Sequence, residues 1–228
     1  MGKILIVEDD SEIRQIEKDY LEKEGYVVVE AEDGDEALPV FRNENPDIVI
    51  LDLNLPYKDG TEVCKELRNL SGVPIILVTA RTKEADELIG LEVGADDYIK
   101  KPFSPRILVA RVKALLKRPE YESGQSLLQI GDLEIDLEKQ LVKKKGQSVN
   151  LTAVQFNILA LIAKNTGRVF SRNELIEGSY DTYDFPDIFD RTIDSHIKNL
   201  RKQIEDDTKN PQYILTVRGK GYKFTDKK

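Results

Sequence analysis

The sequence predicts an α/β domain built on a five-stranded parallel sheet, followed by a smaller α+β domain with three helices. Three observations carry that prediction. Five short apolar runs, Ile4–Val7, Tyr26–Val29, Ile48–Leu51, Ile75–Val78 and Asp97–Ile99, alternate with helix-like segments across the first half. The strands are nearly continuous in apolar character, as expected for a parallel sheet covered on both faces. After residue 126 the pattern changes to two-residue alternation and then to three helical segments.

Taken in order, Ile4–Val7 is the first strand. The spacing of Ile13, Ile16, Tyr20 and Leu21 predicts an amphipathic helix, closed by Gly25 as the residue just past its cap. Pro39 falls inside the second helical pattern and predicts a kink or an early end there. Cys64, in the helical stretch Thr61–Leu67, is expected to be a small packed residue. Ile107, Leu108, Val109, Val112, Leu115 and Leu116 form the last helix of the first domain. The polar stretch from Arg118 to Ser126 contains Pro and Gly and has no apolar period. It divides the chain into domains at 1–118 and 127–228, with a linker at 119–126. Alternation over Leu127–Val149 predicts a small antiparallel sheet. Helices follow at Thr152–Lys164, Ser171–Ser179 and Arg191–Glu205. A hairpin, Tyr213–Val217 and Tyr222–Thr225, closes the chain around Arg218-Gly219-Lys220-Gly221. Three helices and a terminal hairpin spell a winged helix-turn-helix.

The 228 residues include 34 basic and 42 acidic side chains, a net charge of −8 that excludes a uniformly basic nucleic-acid coat. With 40% hydrophobic residues the chain has material for packed cores and is not a disordered polymer. The charge is uneven: residues 1–119 hold 17 bases and 25 acids, whereas residues 191–228 hold ten bases and five acids. The C-terminal end therefore presents a face for an anionic partner. A single cysteine cannot form an internal disulfide, which fits a reducing compartment. No apolar run approaches the roughly 18 residues of a membrane span, and Ile4–Val7 is too short for a signal peptide core. The expectation is a soluble, cytoplasmic chain with no membrane partner.

Ligands of an open α/β sheet bind beyond the carboxyl ends of its strands. Here those ends lead into Glu8-Asp9-Asp10, Asp52, Thr79-Ala80 and Lys101-Pro102. A single acid at a strand end ordinarily caps a helix, but capping does not account for matched chemistry at four ends together. Crowded carboxylates require a cation, and an oxygen-only donor set suits Mg²⁺. Asp52 is then a nucleophile toward phosphorus, with Lys101 and Thr79 binding the phosphoryl oxygens.

In the second half, Ile193, Ile197, Leu200 and Ile204 form one apolar stripe. The opposite face carries Arg191, Thr192, Ser195, Lys198, Asn199 and Lys202, flanked by His196 and Arg201. Such side chains read base edges or hold phosphates, and a basic glycine hairpin carrying Arg218 and Lys220 suits the minor groove or the backbone. A solvated amphipathic helix is the plain alternative, and His196 could equally fill a gap beside the backbone.

With these residues in place the chain resembles a response regulator of the OmpR/PhoB type. The first half resembles a receiver domain at Glu8-Asp9-Asp10, at Val49–Pro56 with Asp59-Gly60, at Val78-Thr79-Ala80 and at Tyr98–Phe103. The second resembles the winged-helix effector domain at Leu151–Leu159, Val169–Leu175, Arg191–Lys202 and Thr216–Tyr222. The resemblance implies a flavodoxin-like (βα)5 receiver in which a sensor histidine kinase phosphorylates Asp52. Glu8, Asp9, Asp52 and the Asn54 carbonyl would hold Mg²⁺, Lys101 and Thr79 would bind phosphate, and Thr79 and Tyr98 would form a switch pair. It further implies a homodimer on phosphorylation, with Asp96, Asp97, Arg111 and Arg118 exchanging ion pairs, and two effector domains gripping tandem half-sites in double-stranded DNA. The acidic stretch Tyr180–Asp190 corresponds to a loop that contacts RNA polymerase in some relatives.

Two features depart from the family pattern. Lys198-Asn199 replaces a frequent pair of arginines, and Ile107 stands where members commonly carry an acid that pairs across the dimer. The expected role is DNA binding rather than catalysis. An aspartate-nucleophile phosphatase of the haloacid-dehalogenase type would need an aspartate where Asn54 stands. The remaining alternative is a constitutive DNA-binding regulator with a structural receiver.

Overall fold

The computed structural model describes residues 2–80, 93–116, 127–180 and 190–226, with only the backbone of residues 190 and 191. The chain divides into two compact units that part between Leu116 and Lys117.

The first unit contains β1 (Lys3–Val7), α1 (Ser11–Lys23), β2 (Val27–Ala31), α2 (Gly34–Glu44), β3 (Ile48–Asp52), α3 (Gly60–Leu70), β4 (Ile75–Thr79), β5 (Asp97–Lys100) and α4 (Pro105–Leu116). The strands form a parallel sheet in the order β2-β1-β3-β4-β5, the five-stranded arrangement that the sequence predicts. Every residue of β3 and β4 is buried, consistent with helices covering both faces. Register places Val7 beside Leu51, Asp52 beside Val78 and Thr79 beside Lys100, so the carboxyl ends of β1, β3, β4 and β5 form one rim.

Two helices differ from their sequence pattern. In α1, Arg14, Glu17 and Leu21 face inward, while Ile16 and Tyr20 are exposed. The helix closes as expected: Gly25 has φ +89°, and the amides of Gly25 and Tyr26 donate to the carbonyls of Glu22 and Leu21. The early end predicted at Pro39 does not occur, because α2 continues to Glu44. Burial of Ala37, Leu38 and Phe41 on both sides of the proline holds the helix together, so tertiary packing overrides local propensity.

The second unit opens with a four-stranded antiparallel sheet, β6 (Leu127–Ile130), β7 (Leu133–Asp136), β8 (Leu141–Lys144) and β9 (Gln147–Val149). Helix α5 (Ala153–Lys164) begins with a reciprocal cap between Thr152 and Gln155. Then come β10 (Val169–Phe170), α6 (Arg172–Tyr180), α7 (Asp190–Ile204) and the hairpin β11 (Ile214–Val217) and β12 (Gly221–Phe224). The α7 stripe Ile193, Ile197, Leu200 and Ile204 is wholly buried. At the hairpin, Gly221 has φ +134°, and a Cβ there would lie 2.0 Å from the Phe170 carbonyl oxygen. Only glycine lets β12 approach β10 that closely.

Candidate functional site

The first site lies at the carboxyl rim of the parallel sheet. Glu8 follows β1, Asp52 ends β3, Thr79 ends β4 and Lys101 follows β5. Glu8, Asp52 and Thr79 are buried, while Asp9 is exposed. Lys101 Nζ donates to Glu8 Oε2 at 2.7 Å and to Asp52 Oδ2 at 2.5 Å. The Lys101 amide donates to the Thr79 carbonyl at 2.8 Å, which anchors the lysine beside β4. Carboxylate oxygens of Glu8, Asp9 and Asp52 lie within 4.8 Å of one another. The Asn54 amide donates to Asp52 Oδ1 at 2.8 Å and fixes the carboxylate's orientation.

Burial pushes the Glu8 carboxyl up to about 7 against the hydrogen bond from Lys101, with the nearby Asp52 charge adding to the rise. Burial opposes the charge of Lys101 too, yet its hydrogen bonds to Asp52 and Glu8 hold its pKa above the ordinary value. Two acids and one ammonium thus share a partly dehydrated space. Three carboxylates within this span are a hard-oxygen donor set, and they fit a hexacoordinate cation that keeps several waters.

Asp10 does not join the cluster. It caps α1, accepting from the amides of Glu12 and Ile13 at 2.9 and 3.2 Å. Asp59 similarly caps α3, and Gly60 follows because a Cβ there would sit 2.1 Å from the Asp52 carbonyl oxygen. The Asp59-Gly60 pair therefore lets the loop fold against the end of β3. Tyr98 is half-buried on β5, packed against the apolar core.

Sequence reasoning missed Glu17. It is 1% exposed, and among the described residues both carboxylate oxygens lack a hydrogen-bond partner. Burial pushes its carboxyl up to about 8, with the Glu8 charge adding to the effect. Its position on the inward face of α1 would have identified it only if that face had been recognised.

Three of the four residues expected at a dimer interface take part in ion pairs within the receiver unit. Asp96 is fully buried, bonded to Arg68 Nη2 at 2.6 Å and to the Ile75 amide at 3.0 Å. Asp97 and Arg111 are buried together, with Arg111 Nη1 2.8 Å from both Asp97 oxygens. Each of the three thus has an ion-pair partner close at hand, as charges removed from water need. Arg118 lies outside the described residues, and Ile107 is exposed on α4.

In the second unit Lys198, Lys202, Arg218 and Lys220 are exposed, and Asn199 is half-buried. Thr192 and Ser195 are buried. His196 is a core residue, 1% exposed, with Nε2 3.1 Å from the Tyr180 hydroxyl. The gap-filling role therefore applies to His196. The side chain of Arg191 and residues 181–189 of the acidic loop lie outside the described residues. A polar tie joins α7 to the hairpin. Tyr222 donates its hydroxyl to Asp194 at 2.7 Å, Arg172 pairs with the same carboxylate at 2.8 Å, and Arg201 bonds the Ile214 carbonyl and Thr216.

Residues 4–113 match the response regulator receiver domain, and residues 146–224 match the C-terminal domain of transcriptional regulatory proteins. The chain belongs to the family of response regulators of the OmpR/PhoB type and is a phosphorylation-regulated, DNA-binding transcriptional regulator. Among its relatives is the sensory transduction protein RegX3 of Mycobacterium tuberculosis, 42% identical over 98% of this chain and 99% of RegX3. The probable transcriptional regulator ycf27 of Cyanophora paradoxa is 44% identical, over 97% of this chain and 95% of its own length. Among solved structures, the response regulator DrrB of Thermotoga maritima, an OmpR/PhoB homologue, covers 99% of both chains at 36% identity with a TM-score of 0.51.

Proposed function

We propose that Asp52 accepts a phosphoryl group from the phosphohistidine of a sensor kinase. The Asp52 carboxylate oxygen forms the new bond to phosphorus while the phosphorus–nitrogen bond to imidazole breaks, and the imidazole keeps the electron pair. Glu8, Asp9, Asp52 and the Asn54 carbonyl would hold Mg²⁺, which supplies charge neutralisation for the phosphoryl oxygens. The observation that supports this reading is Lys101, held between Glu8 and Asp52 by two short hydrogen bonds. From that position its ammonium can follow the charge to a phosphoryl oxygen, and the Thr79 hydroxyl can supply a further hydrogen bond.

The modified receiver then favours one of two arrangements, with Thr79 moving toward phosphate and Tyr98 turning inward. Pairing of two receivers raises the effective concentration of two effector domains, so tandem half-sites are bound together. Lys198, Asn199, Lys202, Arg218 and Lys220 meet DNA, and the acidic loop contacts RNA polymerase. The protein acts by binding, not as an enzyme on a diffusing substrate, and it works in the cytoplasm. The domain boundaries supporting this reading are 1–118 and 127–228, with the linker between them.

The deciding experiment is intact-mass measurement after incubation with acetyl phosphate and magnesium. One phosphoryl adduct is expected on the folded chain, absent from Asp52→Asn and from samples without a divalent ion. A folded wild-type chain that acquires no adduct rejects the reading.

A further inference from the structure

Asp194 puts an acid one turn before Lys198, on a side of α7 that also carries exposed bases. Beside a phosphate backbone such an acid weakens binding by repulsion, so its presence on this helix calls for a reason. Its contacts supply one. Asp194 Oδ1 accepts from the Tyr222 hydroxyl at 2.7 Å and from Arg172 Nε at 2.8 Å, and Oδ2 accepts from Arg172 Nη2 at 3.2 Å. The two bonds from Arg172 form the bidentate pairing of guanidinium and carboxylate. The Arg172 guanidinium also lies 5.4 Å from the centre of the Tyr222 ring, so a carboxylate and an aromatic ring together set its plane.

Arg172 is the first residue of α6, yet it is held between α7 and β12 of the hairpin, the two elements that present Lys198, Lys202, Arg218 and Lys220. Its side chain remains 32% exposed. An ion pair at that exposure adds little to stability, and Arg201 already ties α7 to the hairpin through Ile214 and Thr216. Holding the fold together therefore does not account for the arrangement, whereas fixing a planar fork at a surface does, because that fork matches phosphate oxygens. We propose that Arg172 contacts a DNA phosphate and that Asp194 is the positioning residue that aims its guanidinium. The inference rests on the reading that α7 and the hairpin meet DNA, and it adds a contact from a third element.

The test titrates the full chain onto a fluorescent random-sequence duplex of about 30 base pairs, between about 50 and 200 mM salt, and reads anisotropy. A random duplex makes phosphate contacts the measured quantity. Arg172→Ala should flatten the slope of log affinity against log salt by about 0.9. Asp194→Asn removes an anion, which by charge alone would tighten binding; the expected result is instead binding at least ~3-fold weaker, because the guanidinium loses its orientation. In the Arg172→Ala background the same substitution should no longer weaken binding, since nothing is left to orient. A role confined to holding the hairpin would weaken binding in both backgrounds. The proposal is overturned by a wild-type slope in Arg172→Ala, by tighter binding in Asp194→Asn, or by equal weakening in both backgrounds. Circular dichroism checks that each variant is folded. If Asp194→Asn is not, Arg172→Lys decides: it keeps the charge without the fork and should bind at least ~3-fold more weakly, and wild-type affinity there counts against the proposal. A wild-type chain without salt-dependent binding rejects the DNA surface itself, whereas wild-type binding with unmoved variants rejects only this contact.

Discussion

Glu17 carries a carboxyl that folding strips of water without a hydrogen bond from any described residue. Its carboxyl has the ordinary value of 4.5 in the unfolded chain and about 8 in the fold. Between those values the folded chain holds a proton that the unfolded chain has released. Its contribution to stability is therefore complete below 4.5 and is lost as pH rises toward about 8. Glu8, raised to about 7, acts in the same direction over a narrower window. Glu17→Leu removes the larger contribution. Denaturant unfolding at about pH 8 should show the variant more stable by about 1–3 kcal/mol, with a shallower loss of stability between pH 5 and 8. Equal stability curves for the two proteins would show that Glu17 finds a partner in solution. At this scale the strand-end residues were legible in the sequence, because each follows directly from where an apolar run stops. Glu17 was not, since one helical residue has no strand end to mark it. Asp10 was read with the cluster because sequence order alone does not separate a capping acid from a ligating one.

Among the elements, strands were easier to read than helix faces. A buried parallel strand is apolar on both sides, so its identity does not depend on orientation. Helix α1 has two competing stripes. One runs through Ile13, Ile16 and Tyr20, and the other through Arg14, Glu17 and Leu21. The first looks like the core because it is apolar. The second is buried because Arg14 reaches the Glu8 carbonyl at 2.6 Å and Glu32 at 2.7 Å, ties that residue periodicity does not encode. The same limit applies at the start of β5, where the sequence alone does not show which side chains pair with Asp96 and Asp97. Arg68 of α3 binds the Asp96 carboxylate and also the Gly94 carbonyl, so it joins α3 to the start of β5. Removing Asp96 leaves Arg68 without its buried anion, with a cost of roughly 3–5 kcal/mol by analogy with other buried pairs. Asp96→Ala should thus lower the unfolding free energy of the unphosphorylated monomer by that amount. A variant of unchanged stability whose only defect is in self-association would restore Asp96 to an interface.

For the whole molecule, net charge and function pull in opposite directions. At −8 the chain as a whole is repelled by DNA, so binding depends on a local basic surface rather than on the average. The exposed Lys198, Lys202, Arg218 and Lys220 all lie on α7 or the β11–β12 hairpin. The tie from Tyr222 to Asp194 and from Arg201 to Ile214 fixes the hairpin relative to α7, so the two basic surfaces move together. Each phosphate neutralised by a lysine or arginine releases condensed counterions, which contributes about −0.9 to the slope of log affinity against log salt. Lys202→Ala together with Arg218→Ala should flatten that slope by about 2 if both side chains meet phosphates, and weaken specific and nonspecific duplexes alike. Arg218→Ala alone would instead lower the ratio of specific to nonspecific affinity if its guanidinium enters a groove and contacts bases. Lys113→Ala, on α4 of the receiver unit, should change neither slope nor ratio. A double variant with the wild-type slope would place the DNA contact elsewhere, because counterion release reports which charges are neutralised regardless of how the two units are arranged.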